Sequence, residues 1–303
     1  MIIADMHCDS LLTVCESEGL VNRYNVSGSM GHLQFFAEFV PRGNEQPEKR
    51  RRQLMRLFDI YASECKRLGI RTVTDCLSLE CALREGGVAS VLSIEGGGGL
   101  FADSDELDLF YRAGMRVLGI AWDDNELAAS AYAEIDTGLT EDGRALVRRA
   151  SEMGIILDIS HLSDRSAAEL LDECSYPVLA THSNFREVCH SPRNLPRELA
   201  ARVVERGGVI GLNLCPAFLR EGGDADISDI LRHIDYALSH FGEDSLGFGF
   251  DIDGTGGKYP SGISTESSIH DRVAEEMQKH YSASVIEKIA GGNIVNFLRR
   301  NLP

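Results

Sequence analysis

His7 and Asp9 stand two residues apart at the end of an apolar run, Ile2–Met6. On an extended strand, residues i and i+2 face the same side, so this pair can clamp one cation between a nitrogen and an oxygen. The placement recurs along the chain. Glu95 closes Val91–Ile94, His161 follows Ile155–Ile159 after one serine, His182 follows Val178–Thr181, and Asp251 follows Leu246–Phe250. A lone HxD pair is a weak signal; two further strand-end histidines and a strand-end glutamate make it a strong one. His7, Asp9, Glu95, His161 and His182 exceed what one tetrahedral ion takes, and their mix of nitrogen and oxygen suits zinc or a similar divalent metal. Two ions need a shared anionic ligand, for which Glu95 is the natural bridge. His7 and Asp9 then complete one ion, and His161 and His182 the other. A water between the ions loses a proton near neutral pH and becomes a nucleophile, so the expected chemistry is hydrolysis.

Such a site needs elements that bring strand ends together. The candidate strands are Ile2–Met6, Thr72–Ser78, Ala89–Ile94, Val117–Ala121, Ile155–Ile159, Val178–Thr181, Val209–Leu214 and Leu246–Phe250. Most are continuous apolar runs, the mark of parallel strands buried on both faces. Helical spacing covers Glu48–Leu68, Asp105–Ala113, Glu141–Met153, Asp164–Glu173, Pro196–Arg206 and Asp229–Phe241. Thr140, Ser163 and Ser228 are set to cap helices, and Gly69, Gly114, Gly154 and Gly207 to end them. Eight strands alternating with helices predict a (β/α)8 TIM barrel of the metal-dependent hydrolase type, one domain over 1–303, with every strand C-terminus on one face. A doubly wound open sheet is the runner-up; no GxGxxG follows the first strand, which counts against a dinucleotide site. Ser17–Pro47 reads as a long loop, and the Gly-rich Gly254–Ser264 as a lid.

The bulk properties agree. The 303 residues are 43% hydrophobic, ample for a large core, and the formal net charge is −17. A surface this acidic repels nucleic acid and anionic membranes and favours cations, metal ions included, although most of the surplus is read as keeping the protein soluble. Eight scattered cysteines without a CxxC pair point to a reducing compartment. The N-terminus has no signal-peptide pattern and no run reaches membrane length, so a soluble cytoplasmic protein is expected. Cys8, between His7 and Asp9, reads as a packed small residue.

The blocks His7-Cys8-Asp9, Ser93-Ile94-Glu95-Gly96-Gly97, Asp158-Ile159-Ser160-His161, His182-Ser183-Asn184, Ser191-Pro192-Arg193-Asn194 and Gly249-Phe250-Asp251-Ile252-Asp253-Gly254 together resemble the membrane (renal) dipeptidase family in its bacterial-type form. They occur in family order across nearly the whole chain. The resemblance implies a barrel with two zinc ions that cleaves dipeptides, in some members with a D-residue on the C-terminal side. It implies the same five metal ligands, Glu95 bridging. It also implies Arg193 as the holder of the substrate carboxylate and Asp251 as the acid/base residue. Where mammalian members carry a substrate-contacting histidine, this chain has Trp122, and the family's aromatic beyond Asn213 is matched only loosely by Phe218.

Each residue also has a plainer reading: His7 and Asp9 as a structural pair, Glu95 as a helix-capping acid, Arg193 as a loop cation, Trp122 and Phe218 as packing. Asp158 has two readings, a partner that orients a ligand or a charge in the barrel interior. His32, His190, His233, His240, His270 and His280 are assigned to loops or helix surfaces. The rival functions are lactone or cyclic-amide hydrolysis on the same metal pair, or a silent metal-binding protein. The expected partner is a small dipeptide, with neither nucleic acid nor membrane; a homodimer is compatible.

Overall fold

The computed structural model describes residues 1–10, 31–39, 47–100, 105–263 and 268–303. Nine strands form one parallel sheet: β1 (Ile2–Asp5), β2 (Gly31–Phe39), β3 (Arg71–Thr72), β4 (Val88–Glu95), β5 (Met115–Gly119), β6 (Ile156–Asp158), β7 (Val178–Leu179), β8 (Ile210–Leu212) and β9 (Leu246–Phe248). Eight of them run β7-β6-β5-β4-β2-β1-β9-β8, and a parallel bridge from Ala180 to Ile210 joins the two ends into a barrel. The short β3 lies outside that path against β4. This is the expected (β/α)8 architecture, and helices cover the strands: α1 (Pro47–Leu68), α2 (Cys76–Glu85), α3 (Asp105–Arg112), α4 (Glu141–Glu152), α5 (Asp164–Glu173), α6 (Arg197–Glu205), α7 (Pro216–Leu219), α8 (Ile227–Phe241), α9 (Ile269–Met277), α10 (Ala283–Glu287) and α11 (Asn293–Asn301).

Strand alternation builds two cores. Inward residues such as Ala4, Met6, Leu33, Phe35, Val91, Val117, Ile156 and Leu179 fill the barrel. Ile294, Phe297 and Leu298 of α11 join this cluster, where Ile294 meets Gly247 at the start of β9. Outward residues such as Phe36, Leu92, Ile94, Leu118 and Leu157 pack with Phe58, Phe110, Leu146 and Leu170 of the helices. Apolar side chains thus close the barrel below, and polar side chains concentrate at the strand C-termini.

Two expected elements differ. The second barrel strand, β2, lies inside the stretch read as a loop; Ser17–Met30 and Val40–Gln46 lie outside the described residues. Thr72–Ser78 supplies only the end of β3, because Asp75 and Ser78 form a capping box that starts α2 at Cys76. Thr140 and Ser163 cap α4 and α5 as expected, but Asp226, not Ser228, caps α8. Gly69, Gly114, Gly154 and Gly207 all take positive φ. Three of the histidines assigned to loops or helix surfaces are buried: His32 on β2, His233 on α8 and His270 on α9. Cys8 is fully buried.

Candidate metal centre

Glu95 is the last residue of β4, and three imidazoles reach its carboxylate from other strand ends. Its Oε1 lies 2.9 Å from His161 Nε2, 3.2 Å from His182 Nε2 and 3.7 Å from His7 Nε2. His7 Nε2 is also 3.5 Å from Asp9 Oδ1 and 3.7 Å from Asp251 Oδ1. The His7 and His182 rings stack with centroids 3.7 Å apart. All six strand-end residues singled out in the sequence therefore meet, with Glu95 between a His7–Asp9 side and a His161–His182 side.

Hydrogen bonds set which imidazole nitrogen faces the centre. His161 Nδ1 lies 3.1 Å from the carbonyl oxygen of Trp122. A carbonyl only accepts, so Nδ1 carries the proton and Nε2 presents its lone pair. His182 is set by a longer chain. Thr181 Oγ donates its one proton to Asp158 at 2.5 Å, so it must accept from His182 Nδ1 at 2.8 Å. Asp158 also takes the N–H groups of Ser160 and Thr181, both at 2.9 Å, and so holds the two histidine-bearing strand ends together. Of the two readings of Asp158, the orienting one is correct. The two Nε2 atoms then face each other at 2.8 Å, lone pair to lone pair. That arrangement is repulsive unless a cation lies near both.

Charge points the same way. Burial, with Arg193 second, lowers the affinity of His161 for a proton, and burial together with the charge of His7 lowers that of His182 further. Burial would also lower His7, but Glu95, Asp9 and Asp251 outweigh it and push its pKa up to about 10. Burial and Glu95 raise Asp9 to about 7. The pocket thus holds more negative charge than its own residues neutralise. His7 Nε2, Asp9 Oδ1 and both Glu95 oxygens are buried without a hydrogen-bond partner among the described residues. Buried polar atoms left this way are costly, and a divalent ion supplies the missing partner. The donor set fits such ions.

The backbone is held for this purpose. His161, Asp251 and Asp253 are the non-glycine residues with positive φ among those described, at 68°, 59° and 71°. Left-handed backbone at ordinary residues costs on the order of 1 kcal/mol and collects at working sites. Asp251 is fixed further by Asn213, whose Nδ2 donates to Asp251 Oδ2 at 3.0 Å. A Cβ on Gly254 would stand 2.0 Å from Asp251 Oδ1 and 2.6 Å from Asp9 Oδ2, so only glycine fits beside these carboxylates.

The remaining expected residues ring the centre. Arg193 is 4% exposed and pairs with no carboxylate among the described residues. Its Nη2 is 3.5 Å from the His182 carbonyl, and its guanidinium lies 5.4 Å from the centre of the Phe218 ring. Asn194 Nδ2 donates to the carbonyls of Cys189 and Phe218, which locks the Arg193 loop onto the Phe218 segment. Trp122 is 40% exposed, its ring 4.6 Å from Phe39 and 6.1 Å from His161. Residues 254–263, the expected lid, form turns, with Asp253 N–H on Tyr259 Oη at 3.2 Å and Ser261 bridged to Asp226; Ser264 lies outside the described residues. Two contributors had no role in the sequence reading, Thr181 and Asn213. Both follow the strand-end rule that found the others, but neutral side chains carry no signal of ligation.

Comparison with known proteins came out consistently. Residues 1–301 match the family model described as membrane dipeptidase, peptidase family M19. A dipeptidase from Claviceps purpurea, tcpJ, is 30% identical over 220 residues, covering 71% of this chain but only 52% of that protein. A solved dipeptidase of family M19 superposes with a TM-score of 0.90 at 26% identity, covering 100% of this chain and 99% of its own. A metallopeptidase from Rhodobacter sphaeroides, solved with a phosphinate mimic of the dipeptide L-Ala-D-Ala, superposes at 0.88 with 25% identity, covering 99% of both chains.

Proposed function

The chain belongs to the membrane dipeptidase family, and on that premise we propose that it hydrolyses dipeptides, L,D-dipeptides among them, at a pair of zinc ions. The observation that carries this reading is the approach of three imidazole Nε2 atoms to within 3.7 Å of one buried carboxylate oxygen. His7 and Asp9 would hold one ion, His161 and His182 the other, and Glu95 both. When bound, such ions supply Lewis acidity that makes water nucleophilic near neutral pH and polarises the scissile carbonyl. The side chains do the rest. Arg193, buried and paired with no carboxylate among the described residues, takes the substrate's C-terminal carboxylate. Asp251, aimed by Asn213, takes the proton of the attacking water and returns it to the leaving amine. Phe218 backs the arginine, and Trp122 borders the substrate from the other side. An arginine fixed beside the metal ligands would admit only small substrates. A D-residue is included because the Rhodobacter metallopeptidase was solved with an L,D mimic.

The same proposal assigns the activity to one domain, residues 1–303, in a reducing cytoplasm. Cys65, Cys76, Cys81, Cys174, Cys189 and Cys215 are free, and no helix among the described residues is long and apolar enough to cross a membrane. Its partner is then a small dipeptide, while nucleic acid is disfavoured by the charge of −17.

The test is metal content together with turnover. The zinc-loaded protein should carry two ions per chain by elemental analysis and cleave L-Ala-L-Ala or L-Ala-D-Ala. His182→Ala should carry one ion and cleave neither. Two ions retained in the variant would overturn the ligand assignment; no cleavage of any dipeptide by the loaded protein would overturn the activity.

A further inference from the structure

A half-open cleft lies beside the metal centre, lined by Phe39, Leu54, Gly96, Gly98, Trp122 and Asn125. Arg50, from the first turn of α1, reaches into it. Its side chain is only 18% exposed, and its Nε is buried with no hydrogen-bond partner among the described residues. The carboxylate paired with it among the described residues, Glu126, stands 3.9 Å away, and its other oxygen holds the N–H of Gly99. A Cβ at Gly98 would collide with Arg50 Nη1, so part of the Gly96–Gly99 run makes room for this guanidinium. The cation is thus seated, largely desolvated and poorly paired.

The position of the cleft says which part of a substrate it meets. Arg193 and Phe218 follow β7 and β8, whereas Phe39, Gly96 and Trp122 end or follow β2, β4 and β5. In the order β2-β4-β5-β6-β7-β8-β9-β1 these are opposite sides of the barrel mouth. With the C-terminal carboxylate on Arg193 and the scissile bond over the metal ligands, the N-terminal residue extends toward Arg50. We propose that this cleft receives the side chain of the dipeptide's N-terminal residue and selects an acidic one, aspartate or glutamate, through Arg50. The proposal rests on the dipeptidase reading above.

Two further features agree. Lys49, Arg50, Arg51, Arg52 and Arg56 put five of the chain's 30 basic residues into eight positions of α1. In a protein of charge −17, this is a local concentration of basic residues on the helix that carries Arg50. Asp123 and Asp124 also line the cleft, and each holds a backbone N–H of its own loop, at 2.7 and 2.8 Å. Their sign suits the α-ammonium that an N-terminal residue carries beside its side chain.

The experiment compares kcat/KM of the metal-loaded protein on L-Glu-L-Ala, L-Gln-L-Ala and L-Lys-L-Ala, which differ at one side-chain end. A charge-assisted pair in a sheltered cleft should favour Glu over Gln on the order of tenfold or more. Arg50→Gln should bring that ratio to about one, Arg50→Lys should keep part of it, and Arg50→Glu should turn the preference toward Lys. Cleavage of Glu-Ala and Gln-Ala at equal efficiency by the unaltered protein, or a ratio unmoved in Arg50→Gln, overturns the assignment while leaving the dipeptidase reading intact. Failure to cleave all three and Ala-Ala as well overturns the dipeptidase reading, and the cleft assignment with it.

Discussion

Thr181 Oγ stands between a carboxylate and an imidazole, donating to Asp158 and accepting from His182. The hydroxyl thereby decides which nitrogen of His182 is free to ligate, although it touches no ion itself. Partners of this kind typically alter metal affinity by about tenfold to a hundredfold. Thr181→Val keeps the shape, removes the acceptor and leaves Asp158 short of a donor. We expect its second ion to bind more weakly by roughly that factor in a chelator competition, with Thr181→Ser restoring it. Equal affinities in the valine variant would exclude the role. At the same scale, Trp122 contributes in two ways: its backbone carbonyl orients His161, while its ring gives the adjacent cleft an apolar side.

Among the elements, β2 is where pattern reading met its limit. Leu33, Phe35, Ala37 and Phe39 alternate with His32, Gln34, Phe36 and Glu38, a strand whose second face carries three polar residues yet is buried. That face is tolerable because much of it is partnered across the fold. Gln34 bonds His32 and the carbonyl of Asp5, and Asp5 accepts from His270 at 2.7 Å and from the backbone of His7 and Phe250. Glu38 is the exception. It is 1% exposed, neither oxygen has a hydrogen-bond partner among the described residues, and burial raises its pKa to about 8. Its folded-state pKa lies above the unfolded value, so the folded chain binds the proton more tightly. The favourable contribution is complete below the unfolded value near 4.5 and is lost as pH rises toward 8. Glu38→Gln should remove this slope. Its melting temperature should exceed that of the unaltered protein at pH 8 and match it near pH 4.5, the gain at pH 8 amounting to a few kcal/mol at most. Thermal curves with the same offset at both pH values would refute the assignment.

The whole molecule brings residues from the first tenth of the chain and its last fifth into one pocket and leaves that pocket short of positive charge. Ions that bind only the folded barrel stabilise all of it, by about 4 kcal/mol when free ion exceeds its dissociation constant a thousandfold. At roughly 2–4 °C per kcal/mol for a chain of this size, chelation should lower the melting temperature by about 10 °C, and zinc should restore it. A melting temperature indifferent to chelation would mean that the buried donors are satisfied without a metal.

The strand-end donors, the parallel barrel and the family blocks were legible in the sequence because each rests on a local regularity. Apolar runs mark buried strands, helical spacing marks the cover, and titratable residues that break an apolar run at its end stand out against it. Asp158 illustrates the boundary. Its type and place were visible, but only the fold put Thr181 and Ser160 against it and so distinguished an orienting carboxylate from an interior charge. The same holds for β2, whose polar residues became affordable through Asp5 and His270, and for Arg50, whose place beside the metal centre only the closed barrel decides. Local pattern determines what each segment presents. Which segments face one another follows from closure of the barrel, which joins β1 to β9 across more than two hundred residues and turns separate strand ends into one site.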